Sequence, residues 1–174
     1  MDNPTCQPLP DYLQPGLKVL FVGFNPSIRS GELGHHFASP NNRFWKILYE
    51  AGLTPRKYQP VEDAALLNLG YGLTNIVARP TRAAADVTTA EYSAGSNLLR
   101  QKIKLHYPQV VCFVGKGVYQ IYSRQRQVDW GFQTSQEVPG VLDFVVPSSS
   151  GLVRLSMDQI VAIYKPLSEF LQNS

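Results

Sequence analysis

An apolar run ends at Gly23 and is followed by a turn that presents the side-chain amide of Asn25. The run predicts a buried strand over 18–22. Ligands of open α/β sheets bind outside the carboxyl ends of the strands, so Asn25 would lie within reach of a ligand. The Asn25-Pro26 pair taken alone is also typical of an ordinary turn.

A second strand end carries the polar run Pro147-Ser-Ser-Ser-Gly-Leu-Val-Arg154. The run follows another predicted strand, over Val141–Val146. Because the carboxyl ends of parallel strands share one edge of the sheet, both strand ends are expected to open on the same rim.

Two familiar phosphate-binding patterns do not fit this sequence. Gly115-Lys116 is not a phosphate-binding loop, because Val110 stands where the leading glycine should be and Gly117 replaces the serine or threonine. A dinucleotide-binding fingerprint is also absent, as is the Gly-x-Ser-x-Gly elbow of serine hydrolases.

Neither the histidines nor the cysteines have the spacing of a metal site. His35 and His36 are adjacent, so one is expected to pack and the other to meet solvent or substrate. Cys6 and Cys112 are too few for an iron–sulfur cluster, and their spacing predicts no disulfide. We therefore expect no metal and no cofactor.

Length and charge describe a mildly basic, single-domain protein. The 174 residues carry a formal net charge of +3 with a pI near 8.9, which is compatible with a phosphate backbone without requiring one. We predict that residues 1–17 form an irregular lead-in and that residues 18–174 form one domain. No run approaches the length of a membrane span, so we expect no membrane partner and a cytoplasmic, nucleoid-associated protein.

The predicted strands and helices alternate along the chain. The remaining predicted elements are a long loop over 27–40, a helix from Asn41 or Asn42 to Ala51, a shorter helix over 60–67, a strand over 73–77, a helix after Thr88 that ends before Pro108, a strand over 110–114, a helix from Val118, and a C-terminal helix after Ser156 that Pro166 kinks or interrupts. This order predicts a three-layer α/β/α fold with a central, largely parallel sheet.

The motifs, taken together, resemble the mismatch-specific uracil/thymine-DNA glycosylase family. They occur in the same order as in that family, from about Lys18 to about Leu171. The matching motifs are Gly23-Phe-Asn-Pro26, Gly34-His-His-Phe37, Asn42-Arg-Phe-Trp45, Gly72-Leu-Thr-Asn75, Arg79-Pro-Thr81 and Pro147-Ser-Ser-Ser-Gly-Leu152. The resemblance implies a uracil-DNA glycosylase-like fold and a monofunctional DNA glycosylase of base excision repair. Such an enzyme flips a mismatched uracil, hydrolyses its N-glycosidic bond and leaves an abasic site.

The resemblance also implies roles for residues of the first rim motif and the loop after it. Asn25 matches the family's catalytic asparagine, which orients a water, and Phe37 matches the aromatic that stacks on the extruded base. Asn75 matches an asparagine that reads the base edge, although it could equally tie down a turn. The other residues expected to line the base pocket are Gly23, Phe24, Ser30 and His36.

The second rim motif resembles the family's intercalating loop. Leu152 would enter the gap left by the flipped base, and Arg154 would hold nearby phosphate or the orphaned guanine. The loop residues expected to contact DNA are Ser148, Ser149, Ser150, Gly151, Leu152 and Arg154. The uracil-type branch has Asn-Pro-Ser where this chain has three serines, which leaves strictness for the opposite base open.

Two further positions carry open questions. Ser27 replaces the family's usual glycine and could narrow or re-aim the pocket. Asp86 could face the DNA cleft and serve as a second catalytic group, a base, or it could be a solvated residue ahead of a helix.

The prediction is thus a metal-free glycosylase that acts as a monomer on double-stranded DNA containing a mismatched or damaged base. One rival is a non-catalytic DNA- or nucleotide-binding α/β domain that retains the pocket. Another is a small-molecule enzyme that uses the same rim.

Overall fold

A computed structural model gives the structure of the chain, and it describes residues 7–174. The first part of the predicted lead-in, including Cys6, lies outside the described residues. The rest of the lead-in packs against the sheet, because Tyr12 forms a single antiparallel bridge with Leu73 through backbone hydrogen bonds of 2.9 and 3.0 Å. The side chains of Leu9 and Leu17, in the same segment, are buried.

Five strands form the central sheet in the order β2-β1-β3-β5-β4. Their bounds are β1 Val19–Gly23, β2 Tyr71–Asn75, β3 Val110–Val114, β4 Gly131–Phe132 and β5 Leu142–Val146. The first three and β5 are parallel, and β4 pairs antiparallel with β5. The parallel register sets Gly23 beside Asn75, so the first and second strands end at the same level of the rim.

Helices cover both faces of the sheet. Their bounds are α1 Ile28–Leu33, α2 Phe44–Glu50, α3 Thr89–His106, α4 Lys116–Ser123 and α5 Met157–Gln172, with 3₁₀ helices over Pro60–Leu69 and Ala84–Asp86. Phe21 of β1 packs with α2 and α5, whereas its neighbours Leu20 and Val22 pack with α3 and α4. This alternation of side chains produces two apolar layers and confirms the three-layer α/β/α prediction.

The capping predictions hold at both long helices. Thr88 caps α3 and Ser156 caps α5, each with the reciprocal bond of a capping box from Glu91 and Gln159. Pro166 lies inside α5 and does not end it, because Tyr164 and Leu167 are buried against the sheet on either side of the proline. Burial of this face compensates for the backbone hydrogen bond that a proline cannot donate.

Several boundaries differ from the prediction. The helix α1 lies within the predicted loop over 27–40, and β4 was not predicted because two residues carry no periodicity. The strand predicted over 73–77 runs instead from Tyr71 to Asn75, and the short helix over 60–67 is a 3₁₀ helix that extends to Leu69. The helix α4 begins at Lys116, two residues before the predicted start.

No helix among residues 7–174 combines the length and apolarity that a membrane crossing requires. Cys112 is a fully buried core residue of β3, as its apolar neighbours predicted.

Candidate active site at the carboxyl rim of the sheet

A cleft of about 410 Å³ opens at the rim where β1, β2, β3 and β5 end. Its walls are the loop after β1, the end of β2, and the loop after β5. The predicted site residues that line it are Gly23, Phe24, Asn25, Ser30, His36, Phe37, Asn75, Ser148, Ser149, Ser150, Gly151 and Leu152. The structure therefore brings both rim motifs to one cavity.

The side-chain amide of Asn25 is fixed at its nitrogen end. Nδ2 donates to the carbonyl oxygen of Arg79 at 3.0 Å and to Oγ1 of Thr81 at 2.7 Å. The Thr81 hydroxyl donates its own proton to the carbonyl oxygen of Ala83 at 2.7 Å, so toward Asn25 it can only accept. The amide must therefore present its nitrogen to Thr81. Within residues 7–174, Oδ1 is the amide atom that stays free for a ligand.

Arg79, whose carbonyl oxygen accepts from Asn25, is itself held in place through its side chain. The guanidinium of Arg79 forms two hydrogen bonds with Glu91, at 2.7 and 3.0 Å, at the first turn of α3. The hydrogen bonds from Arg79 are the main reason that the pKa of Glu91 is lowered, to about 2. The strand end that carries Asn25 and the start of α3 are thus linked through one arginine.

The backbone of Phe37 lies in the left-handed region, with φ of 50°. Such a conformation costs a non-glycine residue of the order of 1–3 kcal/mol. The indole nitrogen of Trp45 donates to the carbonyl oxygen of Phe37 at 3.2 Å, which holds the turn. The Phe37 ring stacks on Phe44 with centroids 4.0 Å apart and an angle of 23° between the planes. One ring face is therefore covered, and the half-buried side chain borders the cleft.

His36 is buried and bonded at three points. Its backbone N–H donates to Oδ2 of Asp63 at 2.9 Å, and ring Nε2 lies 2.8 Å from the carbonyl oxygen of Pro10. Its Nδ1 lies 3.4 Å from Nδ2 of Asn75. Burial is the largest cause that lowers the pKa of His36 below its ordinary value, which favours the neutral ring. The neighbouring His35 is half-buried and pairs with Asp63 at 3.1 Å.

Gly23 is required by the position of Asn75. A Cβ atom at Gly23 would lie 2.6 Å from Oδ1 of Asn75 and 3.5 Å from the Phe37 ring. A side chain of any size at this position would displace the amide. The glycine that ends β1 therefore makes room for the polar group that ends β2.

Phe24 and Ser30 line the cleft and also carry structural contacts. The ring of Phe24 lies against Gly117, where an added Cβ would meet it at 2.4 Å, so Phe24 packs on the start of α4. The Ser30 hydroxyl is buried and accepts from the backbone N–H of Ala38 at 2.9 Å.

Ser27, where the resemblance predicts a glycine, caps α1. Its hydroxyl accepts from the backbone N–H of Ser30 at 3.0 Å and lies 3.0 Å from the hydroxyl of Ser39. Ser27 and Ser39 both line the cleft. The extra side chain thus ties two parts of the cleft wall together.

The loop that follows β5, residues Ser148–Arg154, has a buried base and an exposed tip. Ser149 is buried, whereas 92% of the Leu152 side chain is exposed to solvent. Arg154 is exposed and does not line the cleft. Gly151 lies against Asn41, whose carbonyl oxygen would be 2.8 Å from an added Cβ.

Arg43 holds the base of this loop through hydrogen bonds. Its backbone N–H donates to the carbonyl oxygen of Ser149 at 2.9 Å. Its guanidinium donates to three further carbonyl oxygens, those of Ser150, Val153 and Leu155, at distances of 3.0–3.2 Å. Arg43 therefore bonds to the loop at Ser149, Ser150 and Val153, and to the residue directly after it, Leu155.

Asp86 is not brought to the cleft. Its carboxylate accepts from the backbone N–H of Ala83 at 3.1 Å and caps the short 3₁₀ helix that it ends. It is exposed and absent from the cleft lining. This position corresponds to the structural alternative for Asp86, not to a catalytic base.

Residues that support the site without having been identified as site residues from sequence include Thr81, Arg43, Pro10 and Arg82. Thr81 and Arg43 lie within matching motifs, but their roles depend on partners far along the chain. Pro10 contributes a backbone carbonyl, which leaves no trace in a sequence pattern. Arg82 lines the cleft as an exposed cation. Among residues 7–174 no cluster of histidine, cysteine and carboxylate side chains could hold a metal ion.

Comparison with known proteins gives two findings. The family model of the uracil DNA glycosylase superfamily matches residues 10–171. The fold is similar to the solution structure of a provisionally named uracil DNA glycosylase from Methanosarcina acetivorans, with a TM-score of 0.60 and 19% sequence identity over 93% of this chain and 98% of that one.

Proposed function

Because this chain belongs to the uracil DNA glycosylase superfamily, we propose that it releases uracil from mismatched duplex DNA as a monofunctional enzyme of base excision repair. Superfamily membership itself implies a hydrolase that cleaves the N-glycosidic bond of DNA. The proposal adds that the enzyme acts as a monomer, flips the base and leaves an abasic site. It further adds that thymine or other damaged bases are released as well.

The observation that carries the proposal is the fixed amide of Asn25. Its nitrogen is bonded to Arg79 and Thr81, and its oxygen is left for the cleft. A water that donates a hydrogen bond to this oxygen would have its own lone pair directed elsewhere, toward a sugar carbon bound in the cleft. Asn25 is therefore the residue that would hold the attacking water.

An amide is too weak a base to remove a proton from this water before the bond breaks. Departure of the base leaves oxocarbenium-like positive charge on the sugar, so the water attacks a carbon that is already electron-poor. After attack the water gives up its proton to solvent. The electron pair of the broken N-glycosidic bond leaves with the base as an anion, which then takes up a proton from solvent. This chemistry suits bases that leave readily, such as uracil.

Two side chains are proposed to hold the flipped base. The free face of the Phe37 ring would stack on it, a contact worth about 1–3 kcal/mol. The Asn75 amide would read its edge. Both side chains border the cleft that also contains Asn25.

The Ser148–Arg154 loop is proposed to open the duplex. The exposed side chain of Leu152 would fill the space left by the base, and the cations Arg154 and Arg82 would contact phosphates. A mismatched uracil is more easily extruded than a paired one, so mismatches are favoured as substrates.

The test is an incision assay on a duplex with one uracil opposite guanine. The protein is incubated with the duplex in a chelator, and alkali then cuts the strand at abasic sites. We expect breaks at the uracil, and a rate at least roughly 100-fold lower for Asn25→Ala. Asn68→Ala, an exposed asparagine of the first 3₁₀ helix, serves as the matched control and should retain the wild-type rate.

Other outcomes would point to the rival functions. Wild-type protein that binds an abasic duplex but never produces breaks would be a non-catalytic binding domain. Protein with no affinity for DNA at low salt would be a small-molecule enzyme.

A further inference from the structure

The two ring nitrogens of His36 face partners of different kinds. Nε2 lies 2.8 Å from the carbonyl oxygen of Pro10, and Nδ1 lies 3.4 Å from the side-chain amide of Asn75. A backbone carbonyl can only accept a hydrogen bond, so Nε2 must carry a hydrogen. In a neutral ring Nδ1 is then a bare acceptor.

A neutral ring is what this environment favours. His36 is only 2% exposed, and its ring packs edge-on against Tyr12 with centroids 5.6 Å apart. Burial lowers its pKa, although the Pro10 carbonyl and the carboxylates of Asp63 and Asp11 act in the opposite direction.

A bare acceptor at Nδ1 determines which end of the Asn75 amide faces it. Only Nδ2 of the amide can donate, so the amide nitrogen turns toward His36 and Oδ1 turns away. Oδ1 then lies over Gly23, at the distance that excludes a Cβ atom there. Gly23 and Asn75 both line the cleft, so the amide oxygen is presented to it.

We propose that the Pro10 carbonyl, acting through His36, fixes the direction of the Asn75 amide and so restricts the pocket to bases with a ring N–H beside a carbonyl. The inference rests on the proposed glycosylase function. Oδ1 accepts from the ring N–H, and the remaining Nδ2 hydrogen donates to the carbonyl. Uracil and thymine carry this edge, and so do guanine and hypoxanthine, the base that forms when adenine loses its amino group.

Cytosine carries the reverse edge. Its ring nitrogen accepts and its exocyclic amine donates, so it would require the Asn75 amide turned over. Turning it over would bring Oδ1 against the bare Nδ1 of His36. His36 is therefore a positioning residue, which selects against cytosine without touching the base.

The test measures binding, which separates base selection from bond cleavage. Two duplexes carry 2′-fluoroarabino-uridine or 2′-fluoroarabino-cytidine, which resist hydrolysis, opposite an abasic analogue so that neither base has a partner to lose. Wild-type protein should bind the uracil duplex more tightly by roughly 5- to 150-fold, the discrimination expected of one bidentate contact.

The variant His36→Asn should bring this ratio close to one. Its shorter amide still reaches Asn75 but not Pro10, so it can present either its oxygen or its nitrogen. His35→Asn is the matched control, because the neighbouring histidine contacts Asp63 and not Asn75. It should keep the wild-type ratio. An unchanged ratio in His36→Asn, or a wild-type ratio near one, overturns the inference.

A second measurement does not depend on a variant that folds. Long-range ¹H–¹⁵N NMR of the wild-type protein should give His36 as the neutral ring with hydrogen on Nε2, and a ring with hydrogen on Nδ1 overturns the inference. The incision assay distinguishes the two proposals. If wild-type protein releases uracil while either of these tests fails, the glycosylase function stands and the His36 inference falls.

Discussion

The pocket floor and the Ser148–Arg154 loop meet at one cleft but are built in opposite ways. The pocket floor comprises Gly23, Asn25, His36 and Asn75. The amides of Asn25 and Asn75 are each bonded to the protein through Nδ2 and leave Oδ1 for a ligand, whereas both ring nitrogens of His36 are bonded to the protein. In the loop, the base is anchored by Arg43 and the apolar tip at Leu152 is 92% exposed.

The difference follows from what each region is proposed to do. Groups that orient a water or a base must already be in place, because their reorganisation during the reaction would raise the barrier. A group that fills a gap in a duplex must instead project from the surface. A uracil in single-stranded DNA needs no extrusion from a duplex, so we expect the enzyme to release it as well. Variants of the floor should therefore impair release from single strands and duplexes alike, whereas variants of the loop should impair release from duplexes alone.

After Asn25→Ala, the largest effect is expected for Gly23→Ala. The new Cβ would lie 2.6 Å from Oδ1 of Asn75, and the end of a side chain can move where backbone cannot. The protein should stay folded in thermal unfolding, but uracil release in single-turnover assays should fall roughly 100-fold on both kinds of substrate. Wild-type activity in this variant would contradict the tight packing of the floor.

Arg43→Met should impair the loop as a whole. It removes the donors to three carbonyl oxygens, and hydrogen bonds to a charged group contribute about 1.5–3 kcal/mol each. We expect the free energy of unfolding to drop by at least about 2 kcal/mol in urea titrations, and duplex release to fall more than single-strand release. Arg154→Met, at an exposed arginine of the same loop, should leave the stability unchanged.

Leu152→Ala should lower duplex release alone. The side chain is almost fully exposed, so the stability should not change, but less apolar surface is available to occupy the opened stack. We expect a roughly 10-fold lower single-turnover rate on a G·U duplex and an unchanged rate on single strands. Leu105→Ala, at a leucine that is 78% exposed on α3, is the control. Equal losses on both substrates would remove the distinction between the two regions.

Thr81→Val tests the floor with a smaller change. The variant keeps the shape of the side chain but loses the oxygen that accepts from Asn25 at 2.7 Å. The substitution also removes the hydrogen bond that this hydroxyl donates to Ala83. Loss of these two neutral hydrogen bonds should slow release roughly 5- to 10-fold on both substrates, because the Asn25 amide is less firmly oriented. Thr89→Val, at the exposed first residue of α3, should have no effect. A loss confined to duplexes would assign Thr81 to the loop instead.

The smallest effect on uracil release is expected from deprotonation of Asp143 in β5, which is buried away from the cleft and should alter only the stability of the fold. Burial raises its pKa to about 6. The folded state therefore holds this proton more tightly than the unfolded chain, and the associated stability, roughly 1–3 kcal/mol, is lost as the pH rises from 4 to 7. Urea titrations across this range should show the loss in wild-type protein and a smaller one in Asp143→Asn. If wild-type protein and Asp143→Asn lost the same stability over this pH range, the loss would come from another titrating group.

The sequence predicted the layers of the fold because they depend on local periodicity. The strand from Val110 to Val114 and the capping boxes at Thr88 and Ser156 were placed correctly on that basis. The helix α1 was missed because its residues, with Gly31 among them, read as a loop, and the cap that starts it is formed by Ser27. The two-residue β4 gives no pattern to detect.

The candidate site was predicted in its residue types but not in its bonding. The motifs indicated Asn25, Phe37 and Asn75, which all border the cleft. The contacts that orient them come from backbone carbonyls and from residues more than fifty positions away, as with Thr81 and Asn25. Arg43 was visible in a motif, but its partners lie more than one hundred positions along the chain. Such contacts depend on tertiary packing, which no local pattern encodes.

The left-handed backbone of Phe37 has a consequence for attempts to improve this protein. Glycine at this position would relieve the conformation, but it would also remove a ring that stacks on Phe44 with centroids 4.0 Å apart. Truncation of a packed aromatic side chain costs about 3–5 kcal/mol, which exceeds the roughly 1–3 kcal/mol stored in the backbone. Selection for heat resistance alone would therefore retain the ring that is proposed to stack on the base, and directed evolution of this chain for stability would leave this part of the pocket in place.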